Sequence, residues 1–262
     1  MDSIIYKEQG QIAYIILNRA TKHNALNIAM IRELSVNINT ANNSEHVRAI
    51  IIKANGKNFC SGADLNWLQE CSSYSYEQNI QDAKELSDML ESIARSNKVT
   101  IAYAHGKVLG CGLGIISACD IIVADPHTIF SAPEAKIGMV PAIIAPYVAN
   151  KIGTDKAKFM FLTTINIIAA EAKNIGIINE IIKHSTFEEH ERVLLEHIKK
   201  TAPNATKIIK SMMRSLSSSD ASQGEKQYYE LMATVRVSEE AKHGLDSFFK
   251  KETPKWQQLE DN

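Results

Sequence analysis

Basic and acidic residues nearly cancel in this chain, 29 against 30, so it lacks the one-signed field that draws a protein to nucleic acid or to an anionic membrane surface. It also lacks any apolar run near the roughly 20 residues that a membrane span needs. The opening stretch, MDSIIYKEQGQ, has neither the basic nor the apolar region of a signal peptide. These absences make a cytoplasmic protein with a small-molecule partner the expectation. Cysteine is scarce. Cys60, Cys71, Cys111 and Cys119 form no CxxC pair and sit among apolar or small residues, which suits reduced thiols in a core rather than a disulfide framework. The sequons Asn42-Asn43-Ser44 and Asn204-Ala205-Thr206 are then chance matches, since glycosylation presupposes secretion. The eight histidines show no HxH or HExxH spacing, so no metal site is expected. There is no GxSxG nucleophile elbow, which leaves thioester hydrolysis a minor alternative.

What is present is an ordinary globular composition, 45% hydrophobic and 23% charged, over 262 residues, enough to bury a large core. Residues 4–6 and 11–17, around Lys7-Glu8-Gln9-Gly10, predict a hairpin. Leu26, Met30, Leu34 and Ile38 recur every fourth position and predict a helix over residues 26–41. A β-branched run at 47–54, ending at Asn55-Gly56, predicts a buried strand. A second unit follows, with a helix at 76–94, a strand at 99–104, a glycine-rich turn at 106–114 and short strands at 120–124 and 128–131. Such alternation predicts an α/β fold with stacked parallel sheet. Beyond about residue 187 only helices are expected, at 188–200, 205–216 and 238–250, with a loop at 217–220 between two of them. A boundary near 195 would separate residues 1–195 from an all-helical region at 196–262.

Two segments place glycine after an apolar strand and before a helical stretch. In Phe59-Cys60-Ser61-Gly62-Ala63-Asp64-Leu65 and in Gly110-Cys111-Gly112-Leu113-Gly114, main-chain amides can point into the space at a strand end, where a helix start adds partial positive charge. The second segment also looks like a dinucleotide loop. Its third glycine would have to stand at position 115, which is Ile, so the dinucleotide fingerprint is incomplete. Glu134, in Ser131-Ala132-Pro133-Glu134-Ala135-Lys136-Ile137-Gly138, is by position alone a helix-start carboxylate as readily as an acid or base.

Taken in order, Asn24-Ala25-Leu26-Asn27, residues 59–65, residues 106–114 leading to Cys119-Asp120-Ile121-Ile122, Pro133-Glu134 and Gly138-Met139-Val140-Pro141 resemble the enoyl-CoA hydratase/isomerase (crotonase) family over nearly the whole chain. The resemblance implies a spiral of ββα turns with a C-terminal helical trimerisation region, assembled as a homotrimer or a dimer of trimers. It implies that the amides of Ala63 and Cys111 form the oxyanion hole for a thioester oxygen. It also implies that Ala63, Asp64 and Leu65 line the acyl-CoA site, that Arg19 and His23 lie near the nucleotide end, and that Glu134 is the acid/base. No cofactor is implied, because coenzyme A arrives as part of the thioester substrate.

One departure bears on the reaction. Typical hydratases of the family carry a second glutamate three residues after the cysteine-equivalent amide, and here that place is Gly114. Family isomerases often keep only the Glu134-type carboxylate. The stretch 56–67, Gly114 itself and residues 141–148 nevertheless look like bacterial methylglutaconyl-CoA hydratases of leucine degradation. Hydration of a 2-enoyl-CoA is therefore the expectation, with space at Gly114 for a distal substrate carboxylate. Double-bond isomerisation and a non-catalytic acyl-CoA-binding homologue are the alternatives.

Overall fold

The computed structural model describes residues 2–217 and 224–258. The chain opens with the hairpin of β1 (Ile4–Gln9) and β2 (Ile12–Leu17), followed by helix α1 (Ile28–Asn43) and strand β3 (Ala49–Ala54). Helices α2 (Leu65–Cys71) and α3 (Tyr76–Ala94) lead to strand β4 (Val99–Ala104), the short β5 (Lys107–Leu109), helix α4 (Cys111–Ala118), β6 (Ile121–Ala124) and β7 (Ile129–Ser131). A 3-10 turn at Glu134–Ile137 precedes α5 (Ala145–Ile152), α6 (Thr154–Thr163), β8 (Ile167–Ile168), α7 (Ala169–Ile175) and β9 (Glu180–Ile181). Helices α8 (Phe187–Lys199), α9 (Pro203–Ser217), α10 (Gly224–Arg236) and α11 (Glu239–Lys250) follow, and short 3-10 turns stand at Ala20–Lys22, His184–Thr186 and Lys255–Gln257.

Among the described residues not one sheet but two carry the fold. The larger runs β1-β2-β3-β4-β6-β9, antiparallel only at the hairpin, and the smaller runs β5-β7-β8. Strand β3 owes its central place to its composition: Ile50, Ile51 and Ile52 are wholly buried, the two-sided burial that a parallel strand between covered faces requires. Helix α1 lays Met30, Ile31, Leu34 and Ile38 into the same core, and Asn27 starts it by accepting from the Met30 amide at 3.0 Å. That cap moves the helix start to residue 28, two positions later than the apolar recurrence predicts.

The largest departure from the sequence reading is at 106–114. Instead of one glycine-rich turn, residues 107–109 pair with β7 and helix α4 begins at Cys111. Glycine does not break the chain there. A Cβ on Gly112 would lie 2.7 Å from Cys60 Cβ, so its hydrogen side chain is what lets α4 pack against the strand segment carrying Cys60. Helices α5 to α7, α10 and the two-residue strands β8 and β9 are further elements that apolar spacing did not pick out.

By its contacts the chain divides into two compact units, Met1–His190 and Glu191–Asn262, with the division inside α8. The expected loop at 217–220 lies outside the described residues except for Ser217, which ends α9. Among the described residues no helix is long and apolar enough to cross a membrane.

Candidate active site

Beyond β3 the chain makes a parallel bridge, Leu26 to Ala63, that fixes the first glycine segment. The Leu26 amide donates to Gly62 O at 2.8 Å and the Asp64 amide donates to Leu26 O at 2.7 Å. Along an extended segment successive amides face opposite sides, so the Ala63 N–H points away from the bridge. Among the described residues it has no acceptor. The bridge is itself anchored by Asn24, fully buried, whose Nδ2 donates to Asn55 O and Asn58 O at 2.9 and 2.8 Å and whose Oδ1 accepts from the Arg19 amide at 2.8 Å. A buried side-chain amide satisfied on both ends holds three loop segments in one register.

The second segment ends at a helix start. Gly110 caps α4 with φ 49 and ψ −115, and its amide donates to Ser131 O at 3.0 Å. Cys111 is the first residue of α4, so its N–H is one of the helix's unpaired donors and has no acceptor among the described residues. Burial drives the Cys111 thiol well above its ordinary pKa, helped by Cys60 and Glu134 nearby. A thiol held protonated is a poor nucleophile.

Glu134 comes from the 3-10 turn after β7. Its Oε2 is buried and has no hydrogen-bond partner among the described residues, and burial raises the carboxyl above its ordinary pKa. A Cβ on Gly110 would lie 2.8 Å from Glu134 Oε1 and 3.6 Å from Gly62 Cα, so the two glycine turns and the carboxylate converge on one point. All three open on a single cavity of about 520 Å³, walled by Ala63, Gly110, Cys111 and Glu134 together with side chains of α2 and α3 and of residues 136–144. Two free amides and a carboxylate with one unpaired oxygen at a predominantly apolar cavity can hold charge on a carbonyl oxygen while a proton moves on a neighbouring carbon.

Residues 7–259 match the family described as Enoyl-CoA hydratase/isomerase. The chain belongs to that family. Among solved structures it is similar to an enoyl-CoA hydratase from Shewanella pealeana, with a TM-score of 0.94 and 32% identity over 97% of this chain and 96% of that one. Among curated relatives it is 28% identical to the short-chain-enoyl-CoA hydratase of Clostridium acetobutylicum over 80% of each chain. It is 25% identical to the 2,3-dehydroadipyl-CoA hydratase of Escherichia coli over 97% of this chain and 98% of that protein. The fold is the crotonase α/β fold, and the chain is an enzyme whose class is that of the hydratases it resembles, the hydro-lyases.

Membership of the enoyl-CoA hydratase/isomerase family sharpens what the other named residues do. Ala63, Leu65, Cys111 and Glu134 all line the cavity, whereas Asp64, Arg19 and His23 do not. Arg19 Nη1 is spent inside the chain, on Asp64 Oδ2 at 2.6 Å and Ala25 O at 3.0 Å. Asp64, held below the usual carboxylate range by that guanidinium and by the Asn66 amide, caps α2. His23 Nδ1 pairs with Asn58 Nδ2 at 3.0 Å. These three buttress the loop of Ala63.

Gly114 does not leave open space. A Cβ there would lie 2.5 Å from Ile144 Cγ2 and 3.3 Å from Leu90 Cδ1, so apolar packing fills the place of the second glutamate. The expectation of room at Gly114 for a substrate carboxylate is thereby corrected. Sequence reasoning also missed Asp82, a carboxylate of α3 that lines the cavity with Trp67 and Cys71. It stands in an ordinary amphipathic helix, with no motif around it to single it out.

Proposed function

We propose that this member of the enoyl-CoA hydratase/isomerase family adds water across the double bond of a 2-enoyl-CoA thioester. The observation that supports it is the meeting of two acceptor-free amides, Ala63 and Cys111, with the unpaired Oε2 of Glu134 at one cavity. As water adds to C3, negative charge collects on the thioester oxygen. Two preorganised N–H groups hold it without rearrangement, and loss of one such donor costs about 2.7 to 4 kcal/mol. Glu134, ionised, takes the proton from water as its oxygen bonds to C3, then returns a proton to C2. Acid/base catalysis by one group supplies about 10²- to 10⁴-fold. No separate cofactor enters, and coenzyme A is carried by the substrate.

Isomerisation is the second reading, and a specific observation favours it: Ile144 and Leu90 occupy the place where a second acid would stand, which leaves Glu134 to shuttle a proton between C2 and C4. The finer assignment to methylglutaconyl-CoA of leucine degradation loses the argument from space at Gly114. Assembly as a homotrimer or a dimer of trimers through the C-terminal helical region is part of the same proposal. Supporting it, Leu245, Phe248 and Phe249 of α11 are 55%, 77% and 77% exposed, a local apolar concentration that a monomer's surface seldom carries.

The test is turnover on matched 2-enoyl- and 3-enoyl-CoA thioesters. Loss of the 2-enoyl absorbance with formation of the 3-hydroxyacyl product supports hydration. Conversion of 3-enoyl to 2-enoyl without water uptake establishes isomerisation instead, and no turnover of either rejects both readings.

A further inference from the structure

The cavity holds a second carboxylate that the proposed chemistry does not use. Asp82 Oδ1 accepts from Trp67 Nε1 at 3.3 Å, and its Oδ2 accepts from the Cys71 thiol at 3.7 Å. All three side chains line the same cavity as Glu134 and the two free amides, on the wall built by α2 and α3. Burial, then the charge of Asp82, pushes the Cys71 thiol up to about 11, so it stays protonated and remains a donor at neutral pH. Two donors from one neighbouring helix therefore orient the carboxylate, which has about four lone-pair sites and uses two of them internally.

The other lining side chains of α2 and α3 are mostly apolar, Leu68, Ala83 and Leu86 among them, and the amide of Asn79 is spent on the Cys71, Tyr74 and Ser75 carbonyls. Arg32, a guanidinium that feels the charge of Asp82, is committed to Glu85 through two hydrogen bonds of 2.6 and 2.8 Å. An acyl chain entering the cavity thus meets a carboxylate with spare acceptor capacity, on a wall of α2 and α3 that carries no other charged side chain; Lys136, the cation among the lining residues, comes from the 3-10 turn after β7 that also carries Glu134. We propose that Asp82 is a specificity-determining residue: it favours acyl chains that carry a distal hydroxyl and rejects chains that carry a distal carboxylate. The hydroxyl donates to a free lone pair of Asp82, whereas a carboxylate can only repel it. Two like charges about 8 Å apart at an effective dielectric near 20 separate affinities by roughly thirtyfold. Solvent access at a half-buried aspartate reduces that to about tenfold.

The inference rests on the acyl-CoA reading of the cavity, so the test uses binding and needs no turnover. Hexanoyl-CoA, 6-hydroxyhexanoyl-CoA and adipyl-CoA, with octanoyl-CoA and suberyl-CoA as a longer pair, are titrated calorimetrically against the full chain and against Asp82→Asn and Asp82→Leu, each checked for folding by circular dichroism. In the wild type a diacid at one of the two lengths is expected to bind at least tenfold more weakly than its monoacid partner, and the hydroxylated chain at least as tightly as hexanoyl-CoA. Asp82→Asn should shrink the diacid deficit below threefold, and Asp82→Leu should also abolish the hydroxyl preference. Ratios within each variant cancel general loss of affinity. A wild type that binds diacids as well as monoacids, or ratios that neither substitution moves, overturns the role of Asp82. Absence of binding by every probe rejects the acyl-CoA reading, and the proposal with it.

Discussion

Replacing Gly110 by alanine tests whether the gap left by a missing methyl is what seats the acid/base group. Two costs follow from the structure. The first is conformational: φ 49 with ψ −115 lies outside the regions that L side chains adopt, and such strain costs about 1 to 3 kcal/mol. For a chain of this size each kcal/mol lowers Tm by about 2 to 4 °C. The second is local. The new Cβ would lie 2.8 Å from Glu134 Oε1, roughly 0.6 Å inside ordinary van der Waals contact, and the carboxylate is what gives way. A misplacement near 1 Å costs about 10²-fold in rate, so a shift of this size should lower kcat tenfold to a hundredfold. Gly153→Ala is the control. Its φ 82 and ψ 156 impose comparable backbone strain, but its Cβ would meet nothing within 4 Å. Both variants should melt lower, and only Gly110→Ala should lose turnover in a crotonyl-CoA hydration assay, with saturated acyl-CoA bound within a few fold of wild type. If Gly110→Ala keeps kcat within threefold, Glu134 is not held by that gap and the reasoning fails.

Glu134→Gln should cut kcat by at least a hundredfold with acyl-CoA affinity within tenfold, because the amide keeps the shape and cannot exchange protons; near-normal turnover removes Glu134 from the mechanism. Since burial raises the Glu134 pKa above its ordinary 4.5, the acid limb of kcat/KM should lie above that value. By the same linkage the folded state loses stability as pH rises through the raised pKa, so Glu134→Gln should raise Tm at pH 7 and gain less at pH 4; equal gains at both would contradict the shift. Cys111→Ala should be nearly silent, while Cys111→Pro should cost about 10² to 10³ in kcat, since proline fits the first position of a helix but has no N–H. A crippled alanine variant would point to thiol chemistry. Gly114→Glu should depress neutral and carboxylated substrates alike and lower Tm, because its Cβ strikes Ile144, and adding Ile144→Ala should recover part of both losses. A loss confined to carboxylated substrates would restore the charge explanation of Gly114.

Where one apolar face repeats over several turns, the sequence was legible: α3 runs from Tyr76 to Ala94 as its pattern predicts, and β4 from Val99 to Ala104. Elements set by partners rather than by their own pattern were not. Strands β8 and β9 have two residues each and exist because Ile167 and Ile168 pair with β7 and Glu180 and Ile181 pair with β6. The glycine-rich stretch read as one turn because glycine signals flexibility locally. Its use here, bringing α4 close to Cys60, depends on a neighbour 52 positions earlier in the chain. The same limit applied at the site. Motifs marked Ala63, Cys111 and Glu134, all of which reach the cavity, but they could not show that Arg19 closes on Asp64 or that Ile144 fills the place beside Gly114. Asp82 reaches the cavity from an amphipathic helix whose polar positions look interchangeable in one dimension.

The division of labour in the cavity wall bears on how such a protein can change over generations. The groups proposed to hold developing charge are peptide N–H groups, which every residue except proline supplies, so almost no point mutation at 63 or 111 deletes one. The acyl wall is made instead of side chains, with Leu68, Cys71, Asn79, Asp82, Ala83 and Leu86 on two helices, and each can be exchanged by a single codon change. Drift therefore falls on which molecule is accepted long before it falls on what is done to it. A laboratory library confined to those six positions should return new acyl preferences at a far higher rate than it returns dead protein.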